Sequence, residues 1–531
     1  MKSSFLAQFC VALLTNATPT AASSLEDLTR IGPPKCRFAS QWSQDDILKN
    51  PSAFEWDLLY WEGRFHQNDV AYNTANGMSY DGTQLNWTTG ARTKKHPFSA
   101  ASKEALQIML YSHAVAGSKK AARFLTPDDL SKAPRFAASI LKRKLQTYLR
   151  FNKTNPGFGG FLPWMMTSES QVSPTWDWVN RVPALDNGEL FWAVYACIHA
   201  LEQSRHDDGD ASFKRLAKEW QTWLDYVKTT ATQVFYRGNG RICAVTKIKN
   251  QTLPLADPQQ SYACESADYL DDPYEGEVFA YFLHAFGGLD RREKKALWQA
   301  KRAKLVKVEY NEGGVGPITV EQGFWFSSHE LWKVLELPYY DVALIRRLYH
   351  NAERARTCNS VVTRVPGLFA SVNNSTNTTT DDIIGYISQA GIVPIASQKA
   401  QEHDVVTPYG AWPTILFDKA VGLVWWRNMV VARKMQNPYG STESTRVDGK
   451  LVSALVTWDS KITTVVALLG GVSDFVRPKM IKDGIYKDFI SIMQREYGRV
   501  FTNLKGEHIA LCLPKERVPD AGLRDFTLCL S

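Results

Sequence analysis

The sequence predicts a mainly helical protein built as one large domain, and three observations carry this prediction. Long amphipathic stretches with the 3.6-residue period of an α-helix recur along the chain. Strand-like alternation is scarce, with residues 241–247 and 361–372 as its best candidates. No Gly/Ser-rich linker divides the 531 residues, of which 44% are hydrophobic and 22% charged, as in a globular protein with a core.

The helical segments pair naturally into hairpins. In chain order they are Ser102–Gly117, Pro134–Arg150, Asn187–Ser204, Phe213–Thr229, Tyr274–Phe286, Arg291–Val306, Gln322–Val334, Asp341–Arg356, Phe417–Met435 and Ser460–Leu469. Long aromatic-rich loops between alternate helices predict a closed ring of helical hairpins, an α/α toroid with at most minor β-hairpins. The loops at one end of such a ring would form a concave site. Periodicity alone does not distinguish a toroid from another helical array.

The amino terminus has the pattern of a short secretory signal peptide, which we assign to residues 1–22. Lys2 precedes the apolar run Phe5–Leu14, and small residues follow around Ala21 and Ala22. We therefore expect a secreted protein in which residues 23–531 form a single domain. The run is too short to span a bilayer and no later segment is apolar enough, so no membrane association is expected.

Sequons and cysteines agree with export. The sequons stand at Asn86, Asn152, Asn250, Asn373, Asn374 and Asn377. Of eight cysteines, Cys10 leaves with the signal peptide, and the odd number that remains requires at least one free thiol. Cys243–Cys264 and Cys512–Cys529 are plausible bridges around loops, although spacing does not fix connectivity. No Cys or His spacing predicts a metal, so we expect neither metal nor cofactor.

Charge and aromatic content narrow the class of ligand. The net charge is +8, but basic residues occur in short runs such as Arg291–Lys295, which are typical of solvated helix faces. No nucleic-acid-binding motif is present, so nucleic acid is not an expected partner. The 17 tryptophans serve a large core or a sugar-binding cleft, because indole faces stack on pyranose rings.

The first candidate motif runs from Ser173 to Trp192. Asp186 and Glu189 stand where the cap and third residue of a helix would, so a capping box is one interpretation. Alternatively, the two carboxylates bind sugar hydroxyls, because residues three apart share a helix face. Trp176 and Trp178 would then form the wall of the cleft.

The second motif is the acidic loop 271–277, which leads into a nearly all-apolar helix. Glu275 and Glu277 are two residues apart and cannot face the same way on a helix. The apolar neighbours of Glu277 imply burial, and desolvation would raise its pKa as a general acid requires. The alternative is a first-turn glutamate that interacts with the helix dipole.

Two further motifs supply a histidine and two aspartates. Trp325 and His329 lie around the start of a predicted helix; the sequence there is not HExxH, so a zinc site is excluded. His329 is interpreted as a binding residue or as a core histidine. Asp448, in the loop after Tyr439, and Asp459, at the start of the last apolar helix, are candidate bases or simple turn and cap residues.

At these motifs, over residues 163–471, the chain resembles the endo-β-1,2-glucanases (sophorose-forming glucanases), chiefly the fungal branch. It is also similar to the wider glycoamylase-like group of (α/α)6-barrel glycoside hydrolases. Leu185–Leu190 resembles the Val-Asp-Asn-Gly-type opening of an inner helix, and Gly276–Glu277 resembles the Asn-Glu segment that carries the acid. Trp458–Asp459 is similar to the Ile-Asp-Gln-Gly segment near the end of the barrel, with Ser460–Lys461 replacing Gln-Gly.

The resemblance implies an inverting, metal-independent endo-hydrolysis of β-1,2-glucan to short gluco-oligosaccharides. Two carboxyl groups would flank the scissile bond: Glu277 as general acid, with Glu265 or Glu275 next in line, and Asp459 as general base, with Asp448 as the alternative. The substrate-binding set is Asp186, Glu189, Trp176, Trp178, Tyr274, Glu275, Trp325, His329 and Tyr439.

Other functions remain open on the same fold. A polysaccharide lyase would need a uronic-acid substrate and a cationic site, and a phosphorylase would need phosphate. A non-catalytic secreted glucan-binding protein would bind the polymer and release no reducing ends. In each case a polysaccharide is the expected partner and the protein is expected to be a monomer.

Overall fold

The computed structural model describes residues 34–168, 171–204, 212–270, 272–374 and 384–530, and this part of the chain is mainly helical. Its α-helices are α1 (Gln44–Lys49), α2 (Pro51–Gly63), α3 (Ala101–Val115), α4 (Lys119–Leu125), α5 (Ala133–Thr154), α6 (Ala184–Gln203), α7 (Ser212–Phe235), α8 (Gly276–Phe286), α9 (Arg291–Arg302), α10 (Lys333–Glu336), α11 (Ala343–Thr363), α12 (Trp412–Phe417), α13 (Lys419–Ala432), α14 (Trp458–Leu468), α15 (Ser473–Lys482) and α16 (Tyr486–Gly498). All predicted helical segments except Gln322–Val334 coincide with one of them. The predicted signal peptide and the sequon at Asn377 lie outside the described residues.

The prediction of a helix over Gln322–Val334 was wrong. A loop, the 3-10 turn Ser328–Leu331 and the short α10 occupy this region. The carboxylate of Glu330 accepts hydrogen bonds from the backbone N–H groups of Phe324 (3.0 Å), Trp325 (2.6 Å) and Ser327 (3.3 Å). The side chain of Glu330 thus supplies the acceptor that backbone carbonyls would supply in a helix. The helical period of the sequence does not reveal such a side-chain acceptor.

Short antiparallel strands occur in many of the loops and are more numerous than the minor β-hairpins that the sequence predicted. They are β1 (Gly82–Leu85), β2 (Arg92–His96), β3 (Phe98–Ser99), β4 (Met165–Thr167), β5 (Val172–Pro174), β6 (Arg181–Pro183), β7 (Val245–Ile248), β8 (Tyr262–Cys264), β9 (Lys307–Glu312), β10 (Val315–Glu321), β11 (Ser371–Asn374), β12 (Ile384–Ile387), β13 (Gln436–Asn437), β14 (Gly440–Ser441) and β15 (Leu455–Thr457). The three-stranded sheets have the orders β15-β1-β2, β3-β4-β5 and β6-β7-β8. Because β3, β6 and β15 lead directly into α3, α6 and α14, these sheets fix where three helices begin.

A set of central helices is buried on nearly every side, and a second set covers it. Every residue of α3 is buried, and α6, α8, α12 and α14 are almost as apolar and enclosed. Helix α3 contacts α6 and α14, α6 contacts α8, and α12 contacts α14. Helices α5, α7, α9 and α13 belong to the covering set and contact α3, α6, α8 and α12, respectively. None of the helices in the described ranges combines the length and apolarity needed to cross a membrane.

Three buried lysine–glutamate pairs join the central helices to their surroundings. Lys144 on α5 pairs with Glu104 on α3, Lys461 on α14 with Glu62 on α2, and Lys333 on α10 with Glu277 on α8 at 3.2 Å. Removing one partner of such a pair leaves an uncompensated buried charge, which costs about 3–5 kcal/mol. These pairs therefore fix how neighbouring helices face each other.

The disulfides correct one of the two predicted bridges. Cys243–Cys264 is present as expected. Cys512–Cys529 was wrong: Cys512 pairs with Cys358 and Cys529 pairs with Cys36. The segment after α16 runs across the molecule and reaches α11 and then the amino-terminal region, so distant cysteines meet. The free thiol that the odd count required is Cys197, buried in α6.

Candidate active site

Charged side chains in the first turns of four central helices gather at one end of the molecule. Lys103 is the third residue of α3, Asp186 the third of α6 and Asp459 the second of α14, while Glu275 immediately precedes α8. Backbone N–H groups at helix starts are unpaired and favour negative charge nearby. The fold therefore concentrates carboxylates where the loops open to solvent.

Asp459 is held by a lysine on the neighbouring helix. Its Oδ2 forms an ion pair with Lys103 Nζ, which also lies 3.2 Å from Asp81 Oδ1. The backbone N–H of Trp458 donates to the carbonyl of Asp81 at 2.7 Å, so the pairing of β1 with β15 positions all three groups. Burial raises the pKa of Asp459, and the charge of Lys103 opposes that rise. The second oxygen, Oδ1, accepts no hydrogen bond from any described residue.

An aromatic wall connects Asp459 to Asp186. The Phe98 ring lies 5.4 Å from Lys103 Nζ and 5.5 Å from the ring of Trp164. Trp164 is 37% exposed, and its Nε1 donates to Asp186 Oδ2 at 2.9 Å. Trp178 stacks on Trp164 with ring centroids 4.8 Å apart. An exposed indole beside a carboxylate is the arrangement that binds a sugar ring by its apolar face and its hydroxyls.

Glycine brings α6 close to α8 at this point. A Cβ atom on Gly188 would lie 3.0 Å from side-chain atoms of Val278 and Phe279. Any larger residue would push the helices apart, because such contacts are shorter than ordinary van der Waals distances. Gly188 therefore places Asp186 and Glu189 on α6 near the start of α8.

Glu275 has an environment that favours the protonated form of its carboxyl group. It is 7% exposed, and its Oε1 accepts no hydrogen bond within the described part of the chain. Burial raises its pKa well above the ordinary range, and the negative charges of Glu189, Asp272, Glu330 and Asp186 raise it further. A group of this kind can donate a proton near neutral pH.

Glu277 does not have this environment, and the prediction that it is the general acid needs correction. It is 1% exposed, and its Oε2 accepts hydrogen bonds from Tyr339 Oη (2.8 Å) and Lys333 Nζ (3.2 Å). Tyr497 Oη lies 3.4 Å from Oε1. Burial raises its pKa and Lys333 opposes the rise. Because Oε2 forms an internal ion pair with Lys333 and Oε1 accepts from the Tyr497 hydroxyl, Glu277 belongs with the structural lysine–glutamate pairs.

We expect Glu277→Gln to reduce the free energy of unfolding by about 3 kcal/mol, because Lys333 loses its buried countercharge. Urea unfolding followed by circular dichroism measures this change. A variant with unchanged stability and lost turnover would restore Glu277 as the acid.

Glu189 is more buried than a sugar-binding residue is expected to be. It is 2% exposed, and neither of its oxygens is hydrogen-bonded to a described residue; the same holds for Glu336 on α10. Burial raises the pKa of both glutamates. The next largest cause is the charge of Glu336 for Glu189 and the charge of Glu275 for Glu336. Burial thus disfavours the charged form of both side chains, and the role of Glu189 in binding hydroxyls stays a prediction.

Asp448 and Glu265, the alternative base and acid, lie in other surroundings. Asp448 is an exposed turn residue whose Oδ1 accepts the backbone N–H of Lys450 at 3.0 Å and whose Oδ2 lies 3.4 Å from Arg446. Glu265 accepts a hydrogen bond from Arg181 Nε at 2.8 Å. Asp448 thus has the contacts of a turn residue, and its role as the alternative base stays a prediction.

Three of the remaining predicted binding residues have distinct surroundings. Tyr274 is buried, and its hydroxyl donates to the carbonyl of Glu321 at 2.8 Å, so the prediction that it binds substrate was wrong. The His329 ring is kept neutral because burial lowers its pKa to about 4, and its Nδ1 lies 2.9 Å from Ser327 Oγ. Trp176 is 90% exposed and free to contact a polymer.

For Trp325 and Tyr439 the structure shows only their local contacts. Trp325 is partly buried and packs edge-on against Phe324. Tyr439 is partly buried beside β14, and its backbone N–H donates to Asn437 Oδ1 at 2.8 Å. Their roles in binding stay predictions.

Sequence reasoning missed Lys103, Asp81, Trp164 and Tyr386. Tyr386 is 63% exposed, and the charge of Asp459 contributes to raising its pKa, so it lies near the candidate base. None of these four residues belongs to a predicted helix start that carries two acidic residues, and that pattern is the one that predicted the candidate site. For Lys103, the available signal was a lysine at the third position of a largely apolar helix, where a buried charge needs a partner.

Within the described ranges, no three His, Cys, Asp or Glu side chains are grouped so that they could hold a metal ion.

Comparison with known families and structures adds independent findings. The family model described as endo-beta-1,2-glucanase SGL matches residues 78–530. An endo-beta-1,2-glucanase from Talaromyces funiculosus, solved in complex with sophorose, is 62% identical, with a TM-score of 0.91 over 93% of this chain and 100% of that one. A glutamate-to-glutamine mutant of the same enzyme, solved with beta-1,2-glucan, matches equally.

A more distant structure shares the fold. The endo-beta-1,2-glucanase from Chitinophaga pinensis is 12% identical, with a TM-score of 0.54 over 84% of this chain and 98% of that one. No curated protein matches the chain significantly.

Proposed function

Because this chain belongs to the endo-β-1,2-glucanase family, we propose that it cleaves β-1,2-glucan with Glu275 as general acid and Asp459 as general base. As a member of this family it is a glycoside hydrolase. One observation carries the assignment: a buried, unbonded carboxyl at the start of α8 accompanies a lysine-held carboxylate at the start of α14. Hydrolysis of a glycosidic bond requires one group of each kind.

Glu275 supplies the proton for the leaving group. Its protonated carboxyl donates to the glycosidic oxygen, directly or through one hydroxyl or water, as the bond from that oxygen to the anomeric carbon breaks. The negative neighbours Glu189 and Asp186 favour the protonated form before the step. Glu277 lies two residues further along and stabilises the helix start through Lys333.

Asp459 accepts the proton from the attacking water. The water oxygen bonds to the anomeric carbon on the face opposite the leaving group, and its proton moves to the free Oδ1. Lys103 holds Oδ2 and fixes the orientation of the carboxylate. Burial raises the pKa of Asp459, and the charge of Lys103 opposes that rise and so favours the ionised form that a base requires.

This mechanism inverts the anomeric centre, and the two carboxyl groups are expected about 6.5–9.5 Å apart, or farther if a water relay is used. We therefore expect the first product formed from the β-linked polymer to be the α-anomer. Proton NMR, or polarimetry, in the first minutes of hydrolysis measures this before mutarotation. Initial release of the β-anomer would contradict the roles proposed for both residues.

The glucan chain would lie along the aromatic wall. Trp164 stacks on a glucose ring, Asp186 binds its hydroxyls, and the exposed Trp176 and Tyr386 extend the surface at either side. The relatives solved with sophorose and with beta-1,2-glucan support this class of partner.

Measurement of new reducing ends with β-1,2-, β-1,3-, β-1,4- and α-glucans tests the substrate. Only β-1,2-glucan should yield products, and they should be short oligosaccharides. Release that depends on phosphate would indicate a phosphorylase, an unsaturated product a lyase, and binding without release a non-catalytic protein.

The finer architecture and the location of the protein are part of the same proposal. The alternation of central and covering helices supports an (α/α)6 toroid formed by residues 23–531 as one domain. The three disulfides support secretion after removal of residues 1–22, because such bonds persist in oxidising compartments. We expect a glycosylated monomer.

A further inference from the structure

A second cavity lies between α9 and α16, away from the proposed active site. It encloses about 870 Å³ and is lined by residues of both helices together with His284 and Leu289. His284 is in the last turn of α8, whereas Glu275 stands at the other end of that helix. Eleven-residue helices are about 16 Å long, so a ligand in this groove would leave the active site free.

Positive charge lines both walls of the groove. On α9 the lining residues recur every three or four positions and so share one face of the helix. On α16 they recur in the same way. The cationic members are Arg291, Lys294, Lys295 and Arg302 on α9, Arg495 on α16, and Arg499 directly after α16. The run Arg291–Lys295, whose pattern is typical of a solvated helix face, thus contributes three cations to one wall of a cavity.

The acidic residues of the groove do not balance these charges. Only Asp488 and Glu496 line it, and Asp488 already contacts His284 Nε2 at 2.7 Å. Three arginines share the single carboxylate of Glu496: Arg302 (2.8 Å), Arg495 (2.7 Å) and Arg499 (3.6 Å). Each guanidinium has five N–H donors, so most of them remain available to an incoming anion.

On the α9 wall, Arg291, Lys294 and Lys295 lie outside close ion-pair distance of the acidic residues of the groove, although the charge of Lys294 does lower the pKa of Asp488. Arg291 and Lys295 are exposed and Lys294 is half-buried. None of the three forms an ion pair with a residue in the described part of the chain. Six cationic residues therefore face two acidic ones along a groove that follows two helices for about three turns each.

Because the charges are spread along the groove, they fit an extended polyanion better than a single small anion. Arginine also binds carboxylates through paired N–H donors. Trp298, the one aromatic side chain besides His284 that lines the groove, is 3% exposed and donates from its Nε1 to His284 Nδ1 at 3.1 Å. It offers no stacking platform for bases, which disfavours single-stranded nucleic acid. We propose that the groove between α9 and α16 binds a linear anionic polysaccharide.

Affinity electrophoresis in gels containing polygalacturonate, at low ionic strength, tests this proposal. The variant Arg291→Gln/Lys294→Gln/Lys295→Gln removes three cations from one wall and leaves the cap residue Asp290 in place. The matched control Lys214→Gln/Arg215→Gln/Lys218→Gln removes three exposed cations from α7. We expect the α9 variant to bind about tenfold more weakly than the wild type and the control to bind normally.

Equal binding by the wild type and the α9 variant would overturn the proposal, as would an equal loss in both variants or no retention of the wild type. Tighter binding to single-stranded DNA than to polygalacturonate would assign the groove to nucleic acid instead. The rate on β-1,2-glucan and the thermal midpoint, both expected to be unchanged in the two variants, show that they are folded. Because that rate is measured separately, failure of this proposal is distinguishable from failure of the proposed hydrolysis.

Discussion

Glu275→Gln should reduce kcat on β-1,2-glucan by about 10³-fold, because general acid catalysis contributes about 10²–10⁴-fold and an amide cannot supply the proton. The substitution keeps the size of the side chain and removes no hydrogen bond or ion pair that the structure shows for this carboxyl. The thermal midpoint should therefore stay close to that of the wild type. Reducing-end assays at saturating substrate measure the loss.

The pH dependence of wild-type activity should reflect the ionisation of Glu275. A general acid acts only when protonated, so activity falls as the pH rises through its pKa. Burial and the neighbouring carboxylates raise the pKa of Glu275, which moves this alkaline limb above the range of an ordinary glutamate. Glu277→Gln is the matched control: it should lose stability and, where folded, keep most of its turnover. The reverse result would contradict the assignment.

Asp459→Asn should lower kcat by a similar factor, about 10³-fold, because an amide cannot accept the proton of the attacking water. Lys103 would lose one of its two carboxylate partners and keep Asp81 at 3.2 Å. We therefore expect a modest decrease in stability beside a large loss of rate. Single-temperature turnover and a thermal melt of the same preparation separate the two effects.

Asp448→Asn distinguishes the two aspartates that the sequence proposed as bases. Asp448 is an exposed turn residue with contacts to Arg446 and Lys450, so its replacement should leave kcat within about twofold. A loss in Asp448→Asn comparable to that in Asp459→Asn would mean that the loop carrying Asp448 moves into the site.

The sequence predicted the helices and the general place of the site better than the roles of individual carboxylates. Helical periodicity and the acidic helix starts identified α6, α8 and α14 and the carboxyl groups at their first turns. The sequence pattern did not reveal the different roles of Glu275 and Glu277, because both residues stand in one acidic segment. The distinction depends on Lys333, which is 56 positions away from Glu277 and reaches it only in the folded protein.

Other errors have the same origin in contacts between distant residues. Lys103 and Asp459 are 356 positions apart, and the strand pairing that joins them involves β1 and β15, which have four and three residues. Cys36 and Cys529 are 493 positions apart, whereas the predicted bridge to Cys512 relied on short separation. Local patterns carry no information about such partners, although they do report the apolar faces that bring them together.

The most direct test of the account is a crystal structure of Glu275→Gln with a β-1,2-gluco-oligosaccharide bound across the cleavage position. We expect the Gln side chain within about 2.6–3.2 Å of the glycosidic oxygen, or joined to it through one hydroxyl or water, and Asp459 on the opposite side of the sugar ring. A substrate whose glycosidic oxygen lies out of reach of this side chain, or whose nearest carboxyl group is Glu277, would contradict it.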